Sequence, residues 1–216
     1  MKKISKIINS KNKKKLVCLT AYSKPFAKIL DNHCDIVLVG DSLATAMLGM
    51  KNTHHINIDT MILHAISVRS NLNKAICVVD MPANSYKNIK QAKQNAKKIF
   101  NKTKCDAVKL ECDGKNYKII KSIVDIGIPV MGHIGFTPQH FKKFKVQGVL
   151  GNERKQLLEQ AIKNQEAGVF SLILECINGS TAKAVTKLLK IPTIGIGASI
   201  HCDGQILVTD DMLGLS

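Results

Sequence analysis

The sequence predicts an α/β fold, a parallel (β/α)8 TIM barrel that is short at its C-terminal end. Two observations carry this: short, continuously apolar β-branched runs recur along the chain, and stretches rich in Lys, Gln, Ala, Glu and Leu separate them. Strands that are apolar on both faces belong to a parallel sheet covered by helices. After a lysine-rich start read as a short N-terminal helix, the strands fall at 16–19, 36–39, 76–79, 107–110, 129–131, 172–174 and 193–196. Segments 85–100, 117–125, 153–167 and 181–189 suit crossover helices. So many βα units close most naturally as a barrel. Two readings remain for 203–208: an eighth strand, or a helix capped by Asp203 and ended by Gly214. The helix is favoured. The barrel then lacks its last βα unit, which leaves two sheet edges open.

At 216 residues and 45% hydrophobic, the chain has material for one sizeable core, so a single domain over 1–216 is expected. No apolar run is long enough for a membrane span or a secretory signal. Seven cysteines, none in a Cys-x-x-Cys spacing, read as reduced thiols of a cytoplasmic protein. The net charge of +16 invites a nucleic-acid reading. That reading is set aside, because only Arg69 and Arg154 among the cations offer the guanidinium fork and aromatics are 4% of residues.

In parallel barrels the chemistry gathers at the C-terminal ends of the strands. Here the second run ends in Val39-Gly40-Asp41-Ser42 and the third in Val79-Asp80-Met81-Pro82. The next three deliver Lys109 and Glu111, then His133, then Glu175. Any one such Asp is most simply a turn former or helix cap, Lys109 and Glu111 can form a structural ion pair, and His133 can be a core histidine. Four carboxylates on four strand ends are harder to explain as packing, because buried carboxylates are costly unless paired or metal-bound. Carboxylate oxygens suit a hard divalent ion, Mg2+ above all, and the rim has no cysteine or multiple-histidine cluster to suit zinc.

The same stretches carry a resemblance over essentially the whole chain. They include Leu19-Thr20-Ala21-Tyr22, Leu38-Val39-Gly40-Asp41-Ser42-Leu43, Asp80-Met81-Pro82 with Ser85-Tyr86, and Val108-Lys109-Leu110-Glu111. Further along come Gly132-His133-Ile134-Gly135-Phe136-Thr137-Pro138-Gln139, Leu174-Glu175-Cys176, Thr193-Ile194-Gly195-Ile196-Gly197-Ala198 and Asp203-Gly204-Gln205-Ile206-Leu207-Val208. In these motifs the chain resembles the ketopantoate hydroxymethyltransferase family. The resemblance implies Mg2+-dependent, aldol-type transfer of a hydroxymethyl group from methylenetetrahydrofolate to 3-methyl-2-oxobutanoate, giving ketopantoate for pantothenate and coenzyme A. It implies Asp41 and Asp80 as direct metal ligands, with Glu111 completing the surroundings, directly or through water. Asp41, Ser42, Asp80, Lys109 and His133 are implied around the substrate, Glu175 is implied as general base, and the chain is implied to be a homo-oligomer like the family's decamers.

Four places depart from the family pattern. Ser23 replaces an Asp, Ala44 a Gly, Ala83-Asn84 a Phe-Gly, and Gly49-Met50 a Gly-His. None removes a proposed ligand or the base; Ala44 would be strained if its position required a positive φ. Two other readings stay open on sequence alone. One is a different metal-dependent 2-oxo acid aldolase or lyase on a barrel; the other is an inactive, truncated remnant.

Overall fold

In the computed structural model, residues 2–112, 114–140 and 144–215 are described. Eight parallel strands form a closed barrel in chain order: β1 (Leu16–Thr20), β2 (Ile36–Val39), β3 (Ile76–Asp80), β4 (Ala107–Glu111), β5 (Val130–Gly135), β6 (Ser171–Glu175), β7 (Thr193–Ile196) and β8 (Gly204–Leu207). The seven strands expected from the apolar runs are all present, with β5 extended through His133 to Gly135. The crossover segments hold α5 (Ile89–Thr103), α6 (Tyr117–Val124), α7 (Gly151–Glu166) and α8 (Gly179–Leu188). The lysine-rich start is helix α1 (Lys2–Ile8), and α2 (Lys24–Leu30), α3 (Leu43–Ala46) and α4 (Ile58–Arg69) occupy the early connections. Asn57 and Asn88 cap α4 and α5 by accepting the Thr60 and Gln91 N–H groups, so α5 starts after the loop residues 85–87 rather than at 85.

Two apolar layers hold the barrel. Inside it, Cys18, Ile36, Leu38, Ile76, Val78, Met131, Ile173, Ile194 and Ile206 fill the lumen, and Ile4 and Ile7 of α1 join that cluster. A larger cluster between sheet and helices includes Val37, Val39, Met61, Ile99, Leu110, Ile120, Leu172 and Val185. The seven cysteines are buried as separate thiols.

The helix favoured for 203–208 is incorrect. Gly204–Leu207 is β8, pairing in parallel with β1 (Leu16↔Gly204 to Leu19↔Leu207) and with β7. The barrel is therefore not missing its eighth strand, and the sheet has no open edges. A short helix, α9 (Thr209–Met212), follows, and the Thr209 N–H and hydroxyl tie it to Thr20 at the end of β1. What is bare is the outer face of this seam, where Val17, Leu207 and Met212 are exposed.

Closure rests on two residues. Gly204 sits so close to β1 that a Cβ would lie 2.7 Å from both the Cβ and the carbonyl oxygen of Leu16. Asp203 caps no helix. Its carboxylate accepts from Lys11 Nζ at 2.7 Å, from the Thr193 N–H at 2.9 Å and from the Asn12 N–H at 3.2 Å, joining the N-terminal segment to the starts of β7 and β8.

Gly204→Ala is expected to destabilise the fold by about 1–3 kcal/mol in denaturant unfolding, because the methyl group overpacks the seam. A helical 203–208 would predict the opposite sign, a gain of about 1 kcal/mol. Asp203 supplies a pH prediction. Burial raises its pKa, but the bonds from Lys11, Thr193 and Asn12 together outweigh that and hold it below its ordinary value. Its contribution is therefore present above the unfolded value of about 3.9 and is lost as pH falls through the lower folded value. Asp203→Asn should cost about 3–5 kcal/mol at neutral pH and flatten the acid limb of a stability–pH curve.

Candidate active site

Parallel strands all end on the same rim, and this places the ionisable residues together. Asp80, Glu111 and Glu175 are the last residues of β3, β4 and β6; Asp41 and Ser42 follow β2 after Gly40; Lys109 and His133 lie one pleat repeat inside their strand ends. All seven line one hollow of about 330 Å3 at the mouth of the barrel. Asp80, Lys109, Glu111 and His133 are buried, and 17% of the Glu175 side chain remains exposed.

The hollow has two sides of different character. On one, Lys109 Nζ lies 2.8 Å from Asp80 Oδ1, so the cation pairs across β3 and β4 with Asp80 rather than with its strand neighbour Glu111. The Asp41 N–H donates to Asp80 Oδ2 at 3.0 Å. Gln139, on the loop after β5, donates from Nε2 to Asp41 Oδ2 at 2.8 Å and from its backbone N–H to Glu111 Oε2 at 3.0 Å. His140 Nδ1 lies 3.0 Å from the same Glu111 oxygen. On the other side, Glu175 Oε2 is 3.1 Å from His133 Nε2, close enough for an ion pair but out of line for a directed hydrogen bond. His133 Nδ1 is buried with no hydrogen-bond partner among the described residues.

Three carboxylates thus crowd one side around a single buried ammonium. Burial, and then the neighbouring Asp80 and Glu111 against the opposing pull of Lys109, push the Asp41 carboxyl upward. Burial would lower Lys109, but Asp80, Asp41 and Glu111 outweigh it and hold the ammonium firmly protonated. Among the described residues no three His, Cys, Asp or Glu side chains converge as a ready-made metal cage. The donor set fits a hard ion that keeps part of its water: Asp41 and Asp80 are adjacent oxygen donors, and Glu111 stands one hydrogen-bonded residue away through Gln139.

Two of the four departures have a local explanation, at Ala44 and Asn84. Ala44 lies inside α3 and has no positive φ, so it is unstrained there. Asn84 does adopt a left-handed φ of 65°, a conformation that Asn tolerates better than other side chains. Ser42 Oγ is 2.8 Å from Tyr22 Oη, and His64 Nδ1 is 2.7 Å from the Tyr22 carbonyl oxygen. The contacts made by Tyr22, Tyr86, Gln139 and His140 carry no signature of their own in the sequence, since each depends on a residue far along the chain.

Fold and site together define a (β/α)8-barrel enzyme of the kind that gathers carboxylates at its strand ends. A family model described as ketopantoate hydroxymethyltransferase matches residues 1–216, and the chain belongs to that family. It is 53% identical over 215 residues to a 3-methyl-2-oxobutanoate hydroxymethyltransferase of Pelagibacter ubique (strain HTCC1062), covering all of this chain and 84% of that protein. It is 49% identical over 209 residues to the enzyme of the same name from Anaplasma marginale (strain Florida), covering 95% and 76%. Among solved structures, phosphoenolpyruvate phosphomutase from Streptomyces platensis subsp. rosaceus superposes with a TM-score of 0.76 at 10% identity, over 99% of this chain and 82% of that one. Phosphonopyruvate hydrolase in complex with oxalate and Mg++ gives 0.74, also at 10% identity, over 99% and 83%. At such identities these structures attest the fold alone.

Gly135 is where fold and site meet. Its φ is 99°, and a Cβ there would run into the Glu175 carbonyl oxygen across the β5–β6 pair. Gly135→Ala is expected to cost about 3 kcal/mol or more in thermal or denaturant unfolding, combining backbone strain with displacement of the end of β6.

Proposed function

We propose that this chain transfers a hydroxymethyl group from methylenetetrahydrofolate to 3-methyl-2-oxobutanoate, forming ketopantoate for pantothenate and coenzyme A synthesis. The observation that carries the reading is the division of the hollow. A negatively charged group with one fixed cation lies on one side, and a partly exposed carboxylate beside His133 lies on the other. An enolate-forming reaction needs these two functions kept apart.

Asp41 and Asp80 would hold Mg2+ directly, and Glu111 would complete its surroundings through water. When bound, the ion supplies Lewis-acid polarisation of a 2-oxo acid's keto oxygen. Glu175, away from the three acidic neighbours, takes the proton from C3 of the keto acid. Water cleaves both carbon–nitrogen bonds of the donor's methylene bridge, its two protons going to the two nitrogens and its oxygen to the carbon as formaldehyde; the C3–H electrons move into the enolate, C3 bonds to that carbonyl carbon, and the proton taken by Glu175 goes to the resulting alkoxide as the new hydroxyl. Lys109 holds a fixed positive charge near the developing negative one, and Ser42, steadied by Tyr22, orients the substrate. His133 holds a polar group against the substrate or Glu175 with Nδ1, the ring nitrogen facing away from Glu175, which has no hydrogen-bond partner among the described residues.

The reading extends to residues 1–216 acting as one catalytic domain in the cytoplasm, as a homo-oligomer. Separate buried thiols support the compartment, and the exposed apolar seam at Val17, Leu207 and Met212 supports assembly. Among the described residues no helix is long and apolar enough to cross a membrane.

The test is deuterium exchange at C3 of 3-methyl-2-oxobutanoate, followed by proton NMR with and without Mg2+. Exchange should require the ion and fall about 100- to 10,000-fold in Glu175→Gln. No exchange from a cooperatively folded chain would overturn the proposal.

A further inference from the structure

We propose that Gln139 is a positioning residue for the acidic side of the site, holding Asp41 with a side-chain amide whose orientation Tyr86 sets and Glu111 with its backbone N–H. The inference rests on the reading above that Asp41, Asp80 and Glu111 surround the metal.

Gln139 carries no charge and belongs to none of the strands, yet it is the residue through which Asp41 and Glu111 are joined. Its Nε2 donates to Asp41 Oδ2 at 2.8 Å and to the Met81 carbonyl at 3.2 Å, and its backbone N–H donates to Glu111 Oε2 at 3.0 Å. One loop residue therefore reaches the ends of β2, β3 and β4 at once.

A primary amide has a donor end and an acceptor end, and only the donor end is compatible with a carboxylate. Reversed, it would set Oε1 against Asp41 and the Met81 carbonyl, three acceptors with no proton between them. Tyr86 guards against this: its hydroxyl lies 2.5 Å from Gln139 Oε1. Burial, followed by the nearby Glu111, pushes the phenol far above its ordinary value, so it remains a donor. Among the described residues the Tyr86 hydroxyl donates to Gln139 and not to Asp41, so its influence on Asp41 runs through Gln139. Removing the side-chain amide would leave Asp41 without the donor that sets its rotamer beside Asp80 and Glu111, while the backbone N–H of residue 139 and the His140 ring still face Glu111. Hydrogen-bonding partners of metal-holding carboxylates typically change metal affinity or activity by about 10- to 100-fold.

The test is isothermal titration of the full chain with Mg2+, without either organic substrate, alongside denaturant unfolding of each variant. Gln139→Met keeps the side-chain length and removes the amide; it should weaken Mg2+ binding about 10- to 100-fold with cooperative unfolding retained. Tyr86→Phe should weaken it by a smaller factor and add nothing further in the double variant, because its effect passes through Gln139. Parent-like Mg2+ affinity in folded Gln139→Met, or a full additional loss on combining the two changes, would overturn the proposal. Should Gln139→Met not fold, Tyr86→Phe decides, with unchanged affinity counting against it. Asp41→Asn separates the two levels. If the parent does not bind Mg2+, or Asp41→Asn binds it equally well, the metal reading itself fails. If Asp41→Asn loses the ion while Gln139→Met keeps it, only the role of Gln139 fails.

Discussion

Backbone hydrogen bonding of Gly204–Leu207 to β1 on one side and β7 on the other turns a row of strands into a ring, and every feature of the site follows from that ring. A parallel sheet left open would splay its strand ends along a twisted edge. Closed, it directs the ends of β2, β3, β4, β5 and β6 into one mouth, where Asp41, Asp80, Glu111, His133 and Glu175 face a common hollow. The demands of closure are local and strict. At Gly204 the chain has no room for a side chain against Leu16, and Asp203 holds the same corner through Lys11, Asn12 and Thr193.

At the opposite end of the barrel the constraint is electrostatic. Buried carboxylates tolerate each other only when donors or cations compensate them. Lys109 serves Asp80, while Gln139 and His140 serve Asp41 and Glu111. On the other side Glu175 faces His133 and keeps 17% of its side chain exposed, which suits the proton-accepting role proposed for it. Stability and chemistry are thus divided between the two ends of one barrel, with Asp203 at the bottom and the acidic group at the top.

The strands that could be read directly were those with four or so consecutive apolar residues, such as 36–39 and 76–79, because burial on both faces writes itself into composition. β8 escaped because its alternation runs over only four residues, Gly204 to Leu207, and a nearby Asp and Gly mimic helix-capping signals. Its partner β1 is at the other end of the chain, so its strand character comes from pairing that no local window contains. The same holds for α4: its exposed Leu63 and Ile66 blur the helical stripe made by Met61, Ile62, Ala65 and Val68.

By itself, the sequence determined the strand ends and the residues on them, since strand periodicity and the parallel βα repeat assign Asp80, Lys109, Glu111, His133 and Glu175 to one rim before any coordinate is known. The tertiary structure alone decided that the barrel closes, that Lys109 pairs with Asp80 and not Glu111, and that Gln139 spans Asp41 and Glu111 under the control of Tyr86. The physical reason is range. Burial and periodicity are properties of a few neighbouring residues, whereas a hydrogen bond between residues 98 positions apart exists only after the backbone has brought donor and acceptor within 3 Å.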